Sequence, residues 1–209
     1  SSGPLCYFKL YKIDNDLVYF FTNRHHIVRD GWSDKNVFFP EIFSSYESFK
    51  KHNKPKLNSL EFQYPDFAVW QRNLLTEEKL SEQLDYWKEK LEGIEPINLP
   101  LDKPRPPQQS YSGDTFSTKL DVKLSSKLRQ LAKDHSVTMY MLMNAVFAIL
   151  LSRYSGQDDI VVGSPIANRH YPGTENIIGF FVNTLVSRIT IDPKQSFIEL
   201  LENVKNNAL

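Results

Sequence analysis

The sequence contains a single cysteine, Cys6, among its 209 residues. An internal disulfide is therefore impossible, and a reducing compartment is expected, because disulfide frameworks belong to oxidising ones. The chain also lacks a charge excess, since 25 basic residues balance 25 acidic ones. This balance does not indicate a nucleic-acid or membrane partner. The one basic cluster, residues 50–56, includes Pro55 but no Phe, Trp or Tyr, which favours a solvated loop.

Long hydrophobic runs are missing as well. The most apolar stretch, residues 139–151, is too short to span a bilayer and includes Asn144, so it predicts a buried helix. The first ten residues have no basic start followed by an apolar core, so no secretory signal is predicted. We therefore expect a soluble, cytoplasmic chain.

Several catalytic signatures have no counterpart in this sequence. It holds no G-x-S-x-G nucleophile elbow, no glycine-rich phosphate loop, and no context that would activate Cys6. A metal site is not predicted either, because the adjacent His25 and His26 diverge and no Cys or Glu cluster completes a ligand set.

What the chain does have is the stretch RHHIVRDGWS, residues 24–33, directly after an apolar run. Neighbouring side chains at the end of a strand point to opposite faces, so one of His25 and His26 faces a given cavity and the other is expected to be buried. Strand parity does not say which. Imidazole titrates near neutrality, so that histidine is a candidate general base or hydrogen-bonding group for an external substrate. A core histidine followed by a turn aspartate is the alternative interpretation.

Hydrophobic periodicity predicts a mixed α and β chain. In the first half we expect a hairpin with strands at residues 7–13 and 17–23, the second strand covered on both faces. Three helical segments follow: residues 37–49, with a kink or restart at Pro40; residues 64–75, with Pro65 in the first turn; and a helix capped by Thr76 that buries Leu80, Leu84, Trp87 and Leu91 and stops at Gly93.

The composition changes between Pro96 and Pro107, where five of the twelve prolines predict a stiff extended connector. Beyond it the periodic pattern resumes. We expect a strand at residues 115–122, a helix after Ser125, an apolar helix from Thr138 to about Ser152, strands at 158–167 and 181–191, and a closing helix from Ser196.

Four segments occur in order along the chain: HHIVRDGWS, YPDFAVW at residues 64–70, SGQDDIVVGSPIANR at 155–169, and IGFFVNTLVSR at 178–188. Together they closely resemble the condensation domains of nonribosomal peptide synthetases, which belong to the chloramphenicol-acetyltransferase-like superfamily. The resemblance covers essentially the whole chain from Pro4 to Leu209.

The resemblance implies an α+β fold of two α/β sandwich lobes, joined in a V with the active site at the base of a tunnel. Residues 1–99 would be the C-terminal part of the first lobe, residues 100–112 the proline-rich linker, and residues 113–209 the first part of the second lobe. Both lobes are expected to be incomplete, so the chain would be a fragment from the middle of the domain. Self-association or a missing partner segment is then expected, because an incomplete sheet leaves strand edges unpaired.

The activity that the resemblance implies is peptide-bond formation. A donor acyl thioester on one carrier protein is attacked by the amine of an aminoacyl thioester on the next. Both substrates ride on phosphopantetheine arms, and no cofactor is bound directly. The implied partners are upstream and downstream peptidyl carrier proteins and an adjacent adenylation domain, with no nucleic acid and no membrane.

The family's functional histidine is the second of the pair, here His26. It would act as a general base or would position the attacking amine, and the sequence does not separate these roles. Asp30 is expected to be structural, paired with an arginine of another family motif. Arg169 is preferred for this pair, with Arg188 as the alternative.

The remaining site candidates also come from the matching motifs. His25 and Gly31 complete the catalytic motif together with His26 and Asp30. The candidates for lining the tunnel are Trp32, Ser33, Trp70 and Asn183, and Ser33 is also the expected N-cap of the following helix.

The family's subtypes differ around the same motif. Asp34 and Lys35 stand where an epimerase-type domain would show a tryptophan–arginine pair, and a cyclisation-type domain would have aspartate in place of the histidines. One departure is Arg24, where an apolar residue commonly precedes the histidines. The alternative functions are a related acyltransferase that uses coenzyme A or free small molecules, and a non-catalytic carrier-docking module. The retained histidine pair argues against the docking module.

Overall fold

The computed structural model describes residues 3–209. In chain order its main elements are strands β1 (Cys6–Lys12) and β2 (Val18–Arg24), helices α1 (Phe39–Lys50), α2 (Tyr64–Leu74), α3 (Glu77–Lys90), α4 (Val122–Asp134) and α5 (Met139–Ser155), strands β3 (Asp159–Ile166) and β4 (Asn183–Thr190), and helix α6 (Phe197–Ala208). Strands β1 and β2 form one two-stranded sheet, and β3 and β4 form another.

The described chain divides into two compact units. The first combines residues 3–84 with residues 165–184, and the second combines residues 85–164 with residues 185–209. Residues 165–184 therefore belong with the first unit, although the sequence assigned them to the second lobe. The lobe boundaries at residues 99 and 113 stay a prediction, and residues 1 and 2 of the first predicted lobe lie outside the described residues.

The first unit begins with the predicted hairpin. Strands β1 and β2 pair antiparallel with Cys6 opposite Arg24, and the Asp14 carboxylate accepts hydrogen bonds from the N–H groups of Asp16 and Leu17 in the turn. The expectation that the second strand is covered on both faces is wrong for the described residues, since most side chains of both strands are exposed. Apolar residues on both faces of a strand indicate that it can be buried, but no other described element covers this one.

The His-rich loop, residues 25–29, is followed by a helix that changes its hydrogen bonding next to Pro40, where a kink or restart was predicted. Residues 31–50 are helical throughout, with a π-helical segment, Ser33–Phe38, preceding α1. Pro40 is the second residue of α1 and follows directly on the π-helical segment. The change from π-helical to α-helical hydrogen bonding therefore falls next to the proline, and the backbone of Phe38 and Phe39 stays helical.

Helix α2 begins with Pro65 in its first turn, as predicted. The Phe67 side chain of α2 packs with Ile177 and Phe181 in the core of the first unit. Helix α3 differs from its prediction, because Leu80 and Leu84 are exposed and none of its residues is fully buried. The helix ends at Lys90, before Gly93, which adopts a positive φ of 70° in the turn that follows.

The second unit has the larger core. Helix α5, capped by the Thr138 side chain, contributes Leu142, Ala145 and Ala148, which are completely buried. They pack against β3, β4 and α6 through Ile160, Ile189, Leu200, Leu201 and Val204. The predicted helix after Thr138, the two strands and the closing helix after Ser196 are confirmed, with α5 extending to Ser155.

The strand expected at residues 115–122 is wrong. Residues 115–120 form neither strand nor helix, and the Phe116 side chain is 92% exposed. Helix α4 already begins at Val122, because the Asp121 carboxylate accepts a 2.7 Å hydrogen bond from the Leu124 N–H and caps the helix there. Its start therefore lies before Ser125, after which the sequence had placed it.

No single helix among residues 3–209 is long and apolar enough to cross a membrane. Helices α4 and α5 reach the required length and composition only together, and their axes differ by 106°.

Candidate active site

The His-rich loop leaves β2 at Arg24, and two hydrogen bonds of His25 help to fix it. The His25 N–H donates to the Leu5 carbonyl at 2.8 Å, and the His25 Nδ1 accepts from the Ile27 N–H at 3.1 Å. His25 thus caps a short 3-10 helix, His26–Val28. Both histidines are exposed, so the expectation that one of the pair is buried is wrong. His26 begins a 3-10 turn instead of continuing the strand, so strand alternation does not set the placement of the two imidazoles.

His26 lies on a cavity of about 780 Å³ within the first unit. The His26 ring meets the Phe180 ring edge-to-face, with ring centroids 5.2 Å apart. Several other residues share the cavity wall: Asp30, Gly31, Trp32, Lys35, Asn36, Pro165, Ile166, Ala167, Val182 and Thr184. The cavity places an imidazole in a partly apolar recess, which suits a group that handles a proton or holds an amine.

Asp30 lies on the wall of this cavity, is 2% exposed, and is the centre of a buried charge network. The Arg169 Nη2 lies 3.0 and 3.1 Å from the two Asp30 carboxylate oxygens. Asp30 also accepts hydrogen bonds from the Ser33 N–H, the Ser33 hydroxyl and the Phe181 N–H at 2.7–3.0 Å. Both oxygens of the buried carboxylate are therefore satisfied, as a buried charge requires.

Arg169 is itself held by backbone carbonyls. Its Nη1 donates to the Thr174 carbonyl and, at 2.8 Å, to the Ile177 carbonyl. Its guanidinium carbon lies 4.1 Å from the centroid of the Phe181 ring. The other candidate, Arg188, pairs with Asp159 in the second unit, at 2.7 Å, and not with Asp30. Of the two arginines considered, Arg169 is the one that contacts Asp30.

The pKa of Asp30 reflects opposing effects. Burial by itself raises the pKa, but the hydrogen bonds from Ser33 and Phe181 and the positive charge of Arg169 together hold the pKa below its usual range. Asp30 therefore stays ionised at neutral pH.

Ser33 has a different place from the one predicted. It is completely buried, does not line the His26 cavity, and does not cap the helix. Instead the Asp30 carboxylate accepts from the Ser33 N–H, while the Ser33 hydroxyl lies 2.9 Å from the Gly179 carbonyl oxygen.

Gly179 itself is tightly packed. A side chain at Gly179 would collide with Tyr64, because an added Cβ would lie 2.2 Å from the Tyr64 Cδ2.

The other three predicted tunnel-lining residues, Trp32, Trp70 and Asn183, lie in different places. Trp32 lies on the His26 cavity, and its indole N–H donates to the Glu175 carbonyl at 3.0 Å. Trp70 lines a separate aromatic cavity of about 340 Å³ with Tyr171. Asn183 is exposed and does not line the His26 cavity, whereas its neighbours on both sides do. Successive residues of an extended chain point to opposite faces, which explains why Asn183 differs.

Sequence reasoning named no site role for eight residues of the cavity wall: Lys35, Asn36, Pro165, Ile166, Ala167, Phe180, Val182 and Thr184. Lys35 and Asn36 stand four residues after Gly31 and Trp32, so they occupy the same helix face, and this spacing was a usable signal. Phe180 belongs to the segment IGFFVNTLVSR, but nothing in that segment indicates which of its two adjacent phenylalanines contacts His26.

A family model described as Condensation domain matches residues 1–209. The chain belongs to the condensation-domain family. This confirms the family predicted from the four ordered segments.

Similar proteins include a synthase and a synthetase. The chain is 45% identical over 209 residues to a linear gramicidin synthase from Brevibacillus parabrevis, covering all of this chain and 4% of that protein. It is 40% identical over 210 residues to phosphinothricin tripeptide synthetase PhsC from Streptomyces viridochromogenes, covering all of this chain and 19% of that protein. The chain therefore spans a small part of the length of these relatives.

Solved structures share the fold. The X-domain from teicoplanin biosynthesis matches with a TM-score of 0.87 and 24% identity, over 100% of this chain and 47% of that one. The first condensation domain of the calcium-dependent antibiotic synthetase matches with a TM-score of 0.76 and 20% identity, over 98% of this chain and 47% of that one. The predicted fold class is confirmed, while the details of the lobes and linker stay predictions.

Proposed function

We propose that this chain is part of a condensation domain of a nonribosomal peptide synthetase and that His26 serves peptide-bond formation. The observation that carries the proposal is the placement of His26 on the 780 Å³ cavity, beside the buried Asp30–Arg169 pair. Family membership over the whole chain supports the reaction class.

In the proposed reaction the acceptor amine attacks the carbonyl carbon of the donor thioester. A C–N bond forms, the C–S bond breaks, and the proton lost by the amine ends on the departing sulfur. His26 would accept that proton, or would hold the amine in line with the carbonyl. A general base contributes roughly 10²–10⁴-fold to such a step.

Asp30, Arg169 and Ser33 have a supporting role in this proposal. Their side chains contact one another and neighbouring backbone groups, and in this role they hold the loop and the helix start around His26. Gly31 and Trp32 lie on the cavity wall, where they could contact substrate. His25, whose Nδ1 is engaged by the Ile27 N–H, would shape the loop.

The partners in this proposal are carrier proteins whose phosphopantetheine arms deliver both thioesters, together with an adenylation domain. The fold is shared, with a TM-score of 0.82 and 24% identity, by a four-domain nonribosomal peptide synthetase of which this chain covers 15%. No cofactor bound directly to the chain is needed for the chemistry. A cytoplasmic location is part of the proposal.

The test is a condensation assay in the complete synthetase module, with donor and acceptor carrier proteins loaded. Carrier-bound peptide is followed by mass spectrometry for wild type and His26→Ala. We expect the rate of product formation to fall by about 10²-fold or more, with an unchanged melting temperature. The matched control is His52→Asn, because His52 is exposed, has a positive φ of 56° that asparagine tolerates, and should keep the wild-type rate.

The outcomes separate the candidate functions. Undiminished product from His26→Ala would contradict the role of His26. Product formed from coenzyme A thioesters without carriers would favour the acyltransferase alternative. A wild-type module that binds loaded carriers and forms no product would favour the docking alternative.

A further inference from the structure

A second group of charges lies beside the His-rich loop and is separate from the Asp30–Arg169 pair. The Asp34 carboxylate contacts two arginines, one on each side of the histidines. The Arg24 Nη1 lies 2.8 Å from Asp34 Oδ1, and the Arg29 Nη1 donates to Asp34 Oδ2. The side chains are largely shielded from water, with exposed fractions of 6% for Arg24, 16% for Asp34 and 29% for Arg29.

Arg24 is held in a defined orientation. Its guanidinium carbon lies 3.7 Å from the centroid of the Phe38 ring, a cation–π contact. Its Nε donates to the Thr22 hydroxyl at 2.9 Å. A buried guanidinium needs a compensating negative charge, and Asp34 supplies it. An arginine at the end of β2 is therefore accommodated by the π-helical segment that carries both Asp34 and Phe38.

The Arg29 side chain also contacts the Arg24 backbone. The Arg29 Nε donates to the Arg24 carbonyl at 3.3 Å. Residues 25–28, which include both histidines, thus form a short loop whose two ends are tied to each other and to one carboxylate. Within the loop, the Val28 N–H donates to the His25 carbonyl and the Arg29 N–H to the His26 carbonyl, each at 3.2 Å.

We propose that Asp34 is a positioning residue for His26: by bridging Arg24 and Arg29 it closes the loop that holds the imidazole on the cavity wall. Asp34 itself does not lie on that wall. The proposal rests on the proposed function, since it concerns how His26 is presented to the substrates.

Three consecutive residues at the start of the π-helical segment, Ser33, Asp34 and Lys35, have three different sets of neighbours. Successive residues of a helix point in different directions around its axis. Ser33 points to the Asp30–Arg169 pair, Asp34 points to the two arginines, and Lys35 lies on the cavity wall. Asp34 thereby links the loop of residues 25–28 to the π-helical segment Ser33–Phe38.

The test uses the complete synthetase module with loaded carriers and compares Asp34→Asn, Asp34→Glu, Arg24→Met and the double variant Arg24→Met/Asp34→Asn. Single-turnover peptide formation gives the rate constant and the acceptor-carrier concentration for half-saturation. Hydrogen exchange, read by mass spectrometry, reports the amides of residues 25–29. These readings separate positioning from a general loss of structure, because global destabilisation would raise exchange throughout the domain.

We expect Asp34→Asn to lower the rate constant by about 10- to 100-fold, since a misplacement of about 1 Å can cost that much. The half-saturating carrier concentration should stay within about twofold, and exchange should rise in residues 25–29 alone. Asp34→Glu should recover part of the rate. The double variant should lose no more than Asp34→Asn, because residues that act through one interaction are not additive.

The matched control is Asp85→Asn, which removes an exposed carboxylate that pairs with Lys88 and should change neither reading. A wild-type rate in Asp34→Asn, or fully additive losses in the double variant, would overturn the proposal. If the wild-type module forms no peptide, the proposed function fails by itself. The exchange measurement then still tests whether Asp34 closes the loop, because unchanged exchange in Asp34→Asn would overturn the bridging role.

Discussion

Two arginine–aspartate pairs of this chain have the same chemistry and different surroundings. Arg169 and Asp30, in the first unit, have side chains that are each 2% exposed. Arg188 and Asp159, in the second unit, are 26% and 35% exposed. Both arginines end a segment that resembles a family motif, so the sequence alone left either available for Asp30.

The two pairs differ in which polar groups would lose their partner if the ion pair were removed. Around Arg169 and Asp30, the remaining partners are Ser33 and backbone groups of residues 174–181, so a lost charge leaves buried polar groups unpaired. Around Arg188, solvent can replace a lost partner, although the arginine also donates to the Lys90 and Glu92 carbonyls after α3. Burial, rather than the presence of an ion pair, therefore decides how strongly the fold depends on it.

The largest effect is expected from Asp30→Ala. It leaves the Arg169 charge buried without its partner, and the free energy of unfolding should fall by about 3–5 kcal/mol. Denaturant unfolding of a condensation domain that contains this chain measures the loss. A variant that keeps full stability and loses activity would show that Asp30 acts in the chemistry and not in the structure.

Ser33→Ala should have an intermediate effect. The hydroxyl contacts Asp30, Arg169 and Gly179, and its removal leaves buried polar groups with fewer partners, at about 1–3 kcal/mol. The same unfolding experiment checks this, with Ser48→Ala as a control because the Ser48 hydroxyl contacts only an exposed helix carbonyl. Equal losses for the two serines would contradict the account of the buried network.

The acid dependence of stability should distinguish the buried pair further. The pKa of Asp30 is lowered in the folded state, so its contribution is fully present above the unfolded value of about 3.9. The contribution is lost as the pH falls from that value through the folded pKa. The difference in unfolding free energy between wild type and Asp30→Asn should therefore shrink below about pH 4. A difference that stays constant down to the acid transition would be inconsistent with the lowered pKa.

The smallest effect is expected from Asp159→Asn. Its carboxylate is partly exposed, so water can solvate Arg188 when the charge is removed. The loss of unfolding free energy should be clearly smaller than that of Asp30→Asn and should diminish further at high salt. A loss as large as that of Asp30→Asn would remove the contrast between the two pairs.

The sequence predicted most of the helices, the hairpin and the family, because periodicity and ordered motifs are local signals. It did not predict that β2 is exposed or that residues 115–120 form no strand, since burial and pairing depend on which other segments lie nearby. Strand alternation predicted that His25 and His26 point to opposite faces of a strand. In the structure, His26 instead begins a 3-10 turn that His25 caps.

At the site, the Asp30–Arg169 contact joins residues 139 positions apart and was reached from motif resemblance, not from spacing. The π-helical segment was not predictable from hydrophobic periodicity, which reports a helix but not its hydrogen-bonding pattern. Within that segment, Ser33 belongs to the buried network, and Asp34 contacts Arg24 and Arg29.

The most direct test of the central claim is a double-mutant cycle between Asp30 and Arg169, measured as unfolding free energies of wild type, Asp30→Asn, Arg169→Gln and the double variant. If the two residues form one buried structural unit, the double variant should lose much less than the sum of the single losses, with a coupling of about 0.5–3 kcal/mol. Additive losses would contradict the claim that this pair holds the His26 loop in place.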